Sequence, residues 1–383
     1  MDLQFTDAQQ LIRETAHRFA REQVAPNSRS HDRQERISFD LLREMAMLGL
    51  MGINVPSQWG GSAAGAVAYA LAMMEISSAC ASTSVVMAVT NMCAELIARF
   101  GTEEQKEKYV TRLVGGAAVA GAFALSEPHC GSDASALKTS AERKGAHWVL
   151  NGSKQWITSG AYAGVMVVWA RTAGPGGRSI SAFIVEGKTP GLQVGKAEDK
   201  LGLRGSNTVS LTFENCEIPS DNLLAHQGEG FKLAMIALDG GRIGIASQAC
   251  GVARAALEAA LRYCRERRAF AQPIGEFQAI RWFLANIATE LSAAELLTLR
   301  AAWMKEQGVP FTREASIAKL FASEMANRAC DKAVQIHGGY GYIDEFPVER
   351  YLRDARVQTI YEGTSEIQRV VIAREVLREA LDR

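Results

Sequence analysis

The sequence predicts an α+β protein in which helices open the chain, short strands fill its middle and helices close it. Three observations carry that prediction. Apolar residues recur at helical spacing up to about residue 116 and again from Gly230. Between them, β-branched and aromatic runs alternate with turn residues, with no helices interposed. No G-x-G-x-x-G follows a predicted strand and opens a helix, so the middle reads as an antiparallel barrel or sandwich rather than a parallel nucleotide-binding sheet.

In the first third, Thr6 and Gln9 form a capping box. Leu11, Ile12, Ala16, Phe19, Ala20 and Val24 follow at helical spacing until Pro26. Ser38 caps a second helix through Leu41, Leu42, Met45 and Leu48, which Gly49, Gly52 and Pro56 end. W-G-G-S-A-A-G, 59–65, reads as a flexible loop. Residues 67–100 are rich in alanine and methionine and nearly free of charge, and a break near Ser82 to Ser84 divides them into two buried helices. Thr102 and Gln105 form another capping box. His17 and His31 are expected on the surface. Nothing here looks catalytic, although these helices suit one wall of a pocket.

In the middle, 117–125, 137–143, 148–150, 165–171, 179–185 and 209–213 read as strands. Asn151-Gly152, 174–177 and 215–219 read as turns. Two pieces stand apart. F-A-L-S-E-P-H-C-G-S-D, 123–133, turns through Pro128 into a loop that offers N–H groups and hydroxyls to a polar ligand. W-I-T-S-G, 156–160, sets a tryptophan beside hydroxyls, a pairing suited to a flat ring with polar edges.

In the last third, 231–238 leads into D-G-G-R, 239–242, after which a long helix runs to Arg265. E-R-R-A-F-A-Q-P, 266–273, interrupts it with a basic cluster in which Arg267 or Arg268 could neutralise a phosphate. Helices follow over about 276–306 and 312–335, then the glycine-rich Q-I-H-G-G-Y-G-Y. The stretch 350–369 begins as an arginine-rich turn and breaks at Gly363. Thr364 or Ser365 then caps a helix whose apolar stripe includes Ile367, Val370, Val371 and Leu377. Glu362 is thus a carboxylate at a helix–loop junction beside a glycine that leaves room for a ligand. Desolvation there would raise its proton affinity toward base catalysis; a solvated loop glutamate is the plain alternative.

The totals exclude several classes. Lys plus Arg is 42 and Asp plus Glu is 42, so the chain lacks the field of a nucleic-acid binder. Seven widely spaced cysteines without a C-x-x-C argue for reduced thiols and against a disulfide framework or a zinc site. No secretion signal is evident at the N-terminus, and no apolar run reaches the roughly 20 residues that span a bilayer. A protein in solution in a bacterial cytoplasm is expected, or in the mitochondrial matrix for a processed eukaryotic form.

Taken in order, F-A-L-S-E-P-x-x-G-S-D, W-I-T, D-x-G-R, E-R-x-A-F, Q-I-x-G-G-x-G-Y, R-D-A-R and Y-E-G-T-S-E-I-Q-R resemble the acyl-CoA dehydrogenase family across essentially the whole chain. The resemblance is closest to its short-chain (butyryl-CoA) branch. It implies an N-terminal α-helical domain (1–116), a middle antiparallel β-barrel or sandwich (117–228) and a C-terminal four-helix bundle (229–383). It implies FAD, a homotetramer built as a dimer of dimers, and α,β-dehydrogenation of an acyl-CoA to the trans-2-enoyl-CoA. Glu362 would remove the α-proton, flavin N5 would take the β-hydride, and an electron-transferring flavoprotein would take the electrons.

The resemblance also implies site residues. Phe123, Leu125, Ser126 and Ser132 would line the flavin, with Ser132 also near substrate. Trp156, Ile157 and Thr158 would pack on its ring. Arg267, Phe270, Gln278, Gln335, Ile336, His337, Gly338 and Gly339 would reach FAD across a subunit interface, and Thr364 and Glu366 would sit near it. Asp239 and Arg242 would contact the CoA or pantetheine part, and Gly363 the thioester. Some branches place the base directly before the arginine that here is Arg242; Gly241 makes that arrangement unavailable. His129-Cys130 departs from the smaller residues of many relatives. H-G-G-Y-G-Y also resembles the isobutyryl-CoA branch, so a branched 2-methylacyl-CoA dehydrogenase is the alternative. An acyl-CoA oxidase and a non-catalytic flavin- or CoA-binding scaffold are further ones.

Overall fold

A computed structural model describes residues 4–174 and 179–381. The opening helices are α1 (Asp7–Phe19), α2 (Ser28–Gln34), α3 (Phe39–Met47), α4 (Gly65–Ala79), α5 (Ala81–Phe100), α6 (Glu103–Gln105) and α7 (Thr111–Val114). Both capping boxes form, and Ser38 accepts the Asp40 N–H, so side-chain oxygens satisfy first-turn amides as expected. The break between α4 and α5 falls at Cys80, slightly earlier than predicted, and Ser82 to Ser84 are buried inside α5. Contrary to expectation, α5 is long and apolar enough to cross a membrane, but 78% of its apolar window is buried within the protein. Its composition is accounted for by packing on all sides. His17 is exposed and pairs with Glu75, whereas His31 is buried, and burial lowers its pKa.

The middle strands are β1 (Gly121–Ala124), β2 (Ser140–Lys144), β3 (His147–Thr158), β4 (Val165–Arg171), β5 (Ile180–Glu186), β6 (Leu192–Val194), β7 (Thr208–Pro219) and β8 (Leu223–Leu224). They form one eight-stranded sheet in the order β6-β7-β3-β2-β4-β5-β8, with β1 beside β4. Most pairings are antiparallel as predicted, but β1 and β2 both run parallel to β4. Asn151-Gly152 and 215–219, predicted as turns, lie within β3 and β7. The register of the two strands shifts between Leu150 and Gly152, so there the turn-forming residues serve a bulge. Of the predicted turn at 174–177, Pro175, Gly176 and Gly177 lie outside the described residues.

The closing helices begin with α8 (Gly230–Glu266), which runs unbroken for 37 residues through the D-G-G-R predicted to interrupt it. Its two glycines make room rather than a break. A Cβ on Gly240 would lie 3.1 Å from Lys305 Nζ, and one on Gly241 2.6 Å from Glu362 Oε2. A hairpin of β9 (Arg268–Ala269) and β10 (Gln272–Pro273) follows, with Phe270 and Ala271 in the left-handed region. Then come α9 (Gln278–Glu306), α10 (Thr312–His337), α11 (Val348–Arg356) and α12 (Ser365–Leu381). The expected arginine-rich turn at 350–356 is therefore helical, with Arg350 and Asp354 buried. On α12 Val371 is buried, but Val370 and Leu377 are exposed. Gln368 and Glu375 hold the inward positions instead, so tertiary contacts override the apolar stripe.

The middle sheet packs against helices from both flanks. Trp169 of β4 is fully buried in a core that includes Cys93 and Ile97 of α5 and Leu233 and Ala234 of α8. Its Nε1 donates to the Gly230 carbonyl at 2.7 Å, tying the sheet to the first turn of the bundle. A crevice opens where these three parts meet.

Candidate active site

The crevice holds a cavity of about 1210 Å³ lined by residues from all three parts. On α5, Val85, Ala88, Val89 and Met92 line it at spacing i, i+3, i+4 and i+7, which puts them on one helix face. The expected pocket wall from the first third is therefore present, although nothing in the sequence distinguishes its lining residues from core.

The sheet supplies the opposite wall. Phe123 lies in β1, and Leu125, Ser126 and Ser132 follow in the loop after it. That loop is pinned from behind by Glu127, which is 3% exposed. Glu127 accepts the N–H groups of Lys138 and Thr139 at 2.7 and 2.9 Å and the buried Lys154 ammonium at 2.8 Å. Burial pulls Lys154 down to about 8, while Lys154 helps hold Glu127 below its ordinary value against desolvation, so the pair stays ionic near neutrality. The register of β3 shifts again between Lys154 and Ile157, and Trp156 takes φ +62° there. The bulge turns Trp156 outward, 62% exposed at the cavity, while Ile157 stays buried. The hydroxyls of Ser126, Ser132 and Thr158 line the cavity and make no hydrogen bond to another described residue. An apolar wall edged with free hydroxyls is the donor set that a flat ring with polar edges requires.

Glu362 enters from the bundle side. It and Gly363 take consecutive left-handed conformations, φ +54° and +89°, between the end of the α11 segment and α12. Thr364 rather than Ser365 caps α12, its Oγ1 accepting the Ile367 N–H at 3.3 Å. Glu362 Oε2 is buried and has no hydrogen-bond partner among the described residues. Burial pushes the carboxyl up to about 7 against the opposing pull of Arg242 and Lys319. Asp239 and Arg242 line the same cavity from α8 and pair with each other at 2.5 Å. Thr312 donates to the second Asp239 oxygen at 2.6 Å, and Arg242 Nε is buried without a partner among the described residues. Gly363 and Thr364 complete this side.

Twelve of the site residues implied by the resemblance thus line one cavity: Phe123, Leu125, Ser126, Ser132, Trp156, Ile157, Thr158, Asp239, Arg242, Glu362, Gly363 and Thr364. Arg267, Phe270, Gln278, Gln335, Ile336, His337, Gly338, Gly339 and Glu366 do not line it. Several of these gather elsewhere. Arg267 lies over the Tyr340 ring at 5.6 Å, and His337 stacks on Tyr263 at 4.3 Å while its Nδ1 contacts the Ala333 carbonyl. Phe270 is 91% exposed. Lys319 is absent from the residues singled out, although a lysine among Ala315, Ala318 and Ala322 on the inner face of α10 is a sequence signal for it. Glu127, His129 and Cys130, not expected to form a ligand set, place ligand atoms within 4.8 Å of one another. The Glu127 carboxylate is already engaged by Lys154 and two amides.

Family models match nearly the whole length in three parts. They are the acyl-CoA dehydrogenase N-terminal domain over residues 6–117, the middle domain over 122–216 and the C-terminal domain over 228–377. The mitochondrial short-chain specific acyl-CoA dehydrogenase of Homo sapiens is 47% identical over 98% of this chain and 92% of that protein. The structure of butyryl-CoA dehydrogenase from Megasphaera elsdenii superimposes with a TM-score of 0.96 at 42% identity, covering 98% of this chain and 100% of that one. A chain from a structure reported with the electron transferring flavoprotein of Acidaminococcus fermentans superimposes with a TM-score of 0.97 at 44% identity, covering 99% of this chain and 100% of that one.

Proposed function

Because the chain belongs to the acyl-CoA dehydrogenase family, we propose that it oxidises a short-chain acyl-CoA thioester to the trans-2-enoyl-CoA with Glu362 as the base. It is an FAD-dependent oxidoreductase. The observation that carries the base assignment is the buried, unpartnered Glu362 Oε2 in a cavity whose far wall fits a flavin ring.

The α-proton of a thioester is weakly acidic, so its removal needs a placed base of suitable proton affinity. Glu362 has a free carboxylate oxygen and a pKa near neutrality, and no neighbouring donor among the described residues competes for that oxygen. Gly363 would adjoin the thioester, while the space its missing Cβ leaves is taken by Gln368 Nε2. Phe123, Leu125, Trp156 and Ile157 would seat the flavin ring, and Ser126, Ser132 and Thr158 would meet its polar edge. FAD, when bound, supplies the acceptor for the β-hydrogen, which leaves with the electron pair of its C–H bond. Asp239 and Arg242, which line the cavity, would hold the pantetheine part. Thr364 and Glu366, at the start of α12, would sit near FAD.

Arg267, Phe270, Gln278, Gln335, Ile336, His337, Gly338 and Gly339 would contact FAD in a second copy of the chain, which accords with their absence from the cavity lining in their own. This is the homotetramer reading, a dimer of dimers. An electron-transferring flavoprotein is the proposed acceptor, supported by the superposition with the Acidaminococcus chain. Similarity to short-chain and butyryl-CoA enzymes supports the substrate class. Anaerobic butyryl-CoA should bleach the bound flavin, and Glu362→Gln should keep FAD while losing on the order of 10²–10⁴-fold in turnover. Normal turnover by that variant would place the base elsewhere.

A further inference from the structure

The base sits on a turn that is costly to hold. A non-glycine residue in the left-handed region is unfavourable, and here Glu362 is followed by a second left-handed residue. Two fully buried polar side chains grip that turn by its carbonyls. Lys319 Nζ, from α10, donates to the Gly363 carbonyl at 2.7 Å. Gln368 Nε2, one turn into α12, donates to the Gly363 carbonyl at 2.9 Å and to the Glu362 carbonyl at 3.1 Å. The grip is tight, because a Cβ on Gly363 would lie 2.6 Å from Gln368 Nε2. A lysine at this depth loses its hydration, and a carbonyl alone replaces little of it. The field of the Glu362 carboxylate offsets part of that loss.

We propose that Lys319 is the positioning residue of the base: its buried ammonium, with Gln368, clamps the Glu362 and Gly363 turn so that the carboxylate faces the cavity beside Gly241. This rests on Glu362 being the base. Lys319 contacts the backbone of the turn and not the reacting atoms. It acts in two ways, by holding the turn and by placing a cation near the carboxylate. The charged groups around it are Glu362 on the turn, Arg242 from α8, Glu324 on its own helix and Glu366 from α12. Arg242 opposes the Lys319 charge and the three carboxylates favour it, while burial brings the ammonium down to about 8. The cation therefore persists at neutral pH, where it favours the ionised, base-competent form of Glu362.

Three variants of the FAD-loaded enzyme test this. Lys319→Met removes both the charge and the clamp. Its kcat should fall about 10–100-fold with KM changed less than about threefold, as for a misplaced catalytic group. The acid limb of its pH–kcat/KM profile should move up by about one unit, because less positive charge raises the Glu362 pKa. Lys319→Arg should return the limb to the wild-type position. Lys319→Gln, which keeps a donor but not the charge, serves where the Met variant does not fold; its limb should move while its plateau kcat stays nearer wild type. The infrared carbonyl band of the protonated Glu362 carboxyl, assigned by its loss in Glu362→Gln, gives the same pKa without turnover. If that band titrates in the uncharged variants as it does in wild type, and the pH limb does not move, Lys319 is only structural and the proposal is wrong. If the band moves but Glu362→Gln turns over normally, the coupling stands and the base assignment fails.

Discussion

Glu362 joins two properties that usually exclude each other, a buried carboxylate oxygen and no hydrogen-bond partner for it among the described residues. Its pKa near 7 makes the expected pH dependence specific. As the proposed base, Glu362 must be ionised to accept the α-proton, so kcat/KM should rise with pH through about 7 and then level off, as read in a pH–rate profile. Stability should move the other way. The folded-state pKa is raised, so the contribution of this group is fully present below its unfolded value and is lost as pH rises through about 7. Glu362→Gln should therefore gain melting temperature over wild type at about pH 8 and gain less at about pH 6, as measured by calorimetry on the holoenzyme. Gly241 is the second sensitive position, because a methyl there would meet Glu362 Oε2 at 2.6 Å. Gly241→Ala should lower kcat about 100-fold with FAD retained, since displacement of a reacting group by about 1 Å costs that much.

The loop between β1 and β2 and the turn before α12 present their side chains because other elements hold them. The first is anchored by the buried Lys154 and Glu127 pair behind Ser126 and Ser132. Lys154→Met would leave Glu127 as a buried, unpaired carboxylate, a change that costs about 3–5 kcal/mol. The expected result is a large drop in melting temperature together with faster FAD release, followed by flavin fluorescence. A second anchor is Asp354 of α11, whose Oδ1 accepts the Leu203 N–H at 2.6 Å and fixes the cavity-lining segment around Gly202 and Leu203. The helix cap is a milder case. Thr364→Ala removes the oxygen that accepts the Ile367 N–H and should cost about 1 kcal/mol, measured by denaturant unfolding.

Helices, sheet and bundle each leave one wall incomplete, and the cavity exists only because the three pack over a shared core around Trp169. Val85, Ala88 and Val89 line its α5 side together with Ile245 and Tyr361, and on the proposed reading the depth there would limit the acyl group. Across butyryl-, isobutyryl- and hexanoyl-CoA, kcat/KM should be highest for butyryl-CoA. Each added or displaced methylene is worth only about 1–3 kcal/mol, so activity should overlap rather than switch off. A maximum for isobutyryl-CoA would favour the branched-chain alternative.

Much of this molecule is legible in its amino-acid sequence. Capping boxes at Thr6 and Thr102, the strand at 165–171 and the helix–strand–helix order follow from local chemistry, which the chain carries wherever it folds. Glu362, Trp156 and the Ser126 loop are visible there as residue types suited to chemistry. Other features are not local and cannot be read from neighbours in the chain. The D-G-G-R glycines signal a break, yet α8 continues because the space they leave is filled by Glu362 and Lys305 from distant segments. The bulge that aims Trp156 depends on the register between β3 and β7. Val370 and Leu377 lose the inward face of α12 to Gln368 and Glu375, and Gln368 is held there by the carbonyls of the turn that folds back over it. Motifs and caps depend on neighbours along the chain; the desolvation that tunes Glu362 and the clamp that aims it depend on α8, α10 and α12 meeting in space.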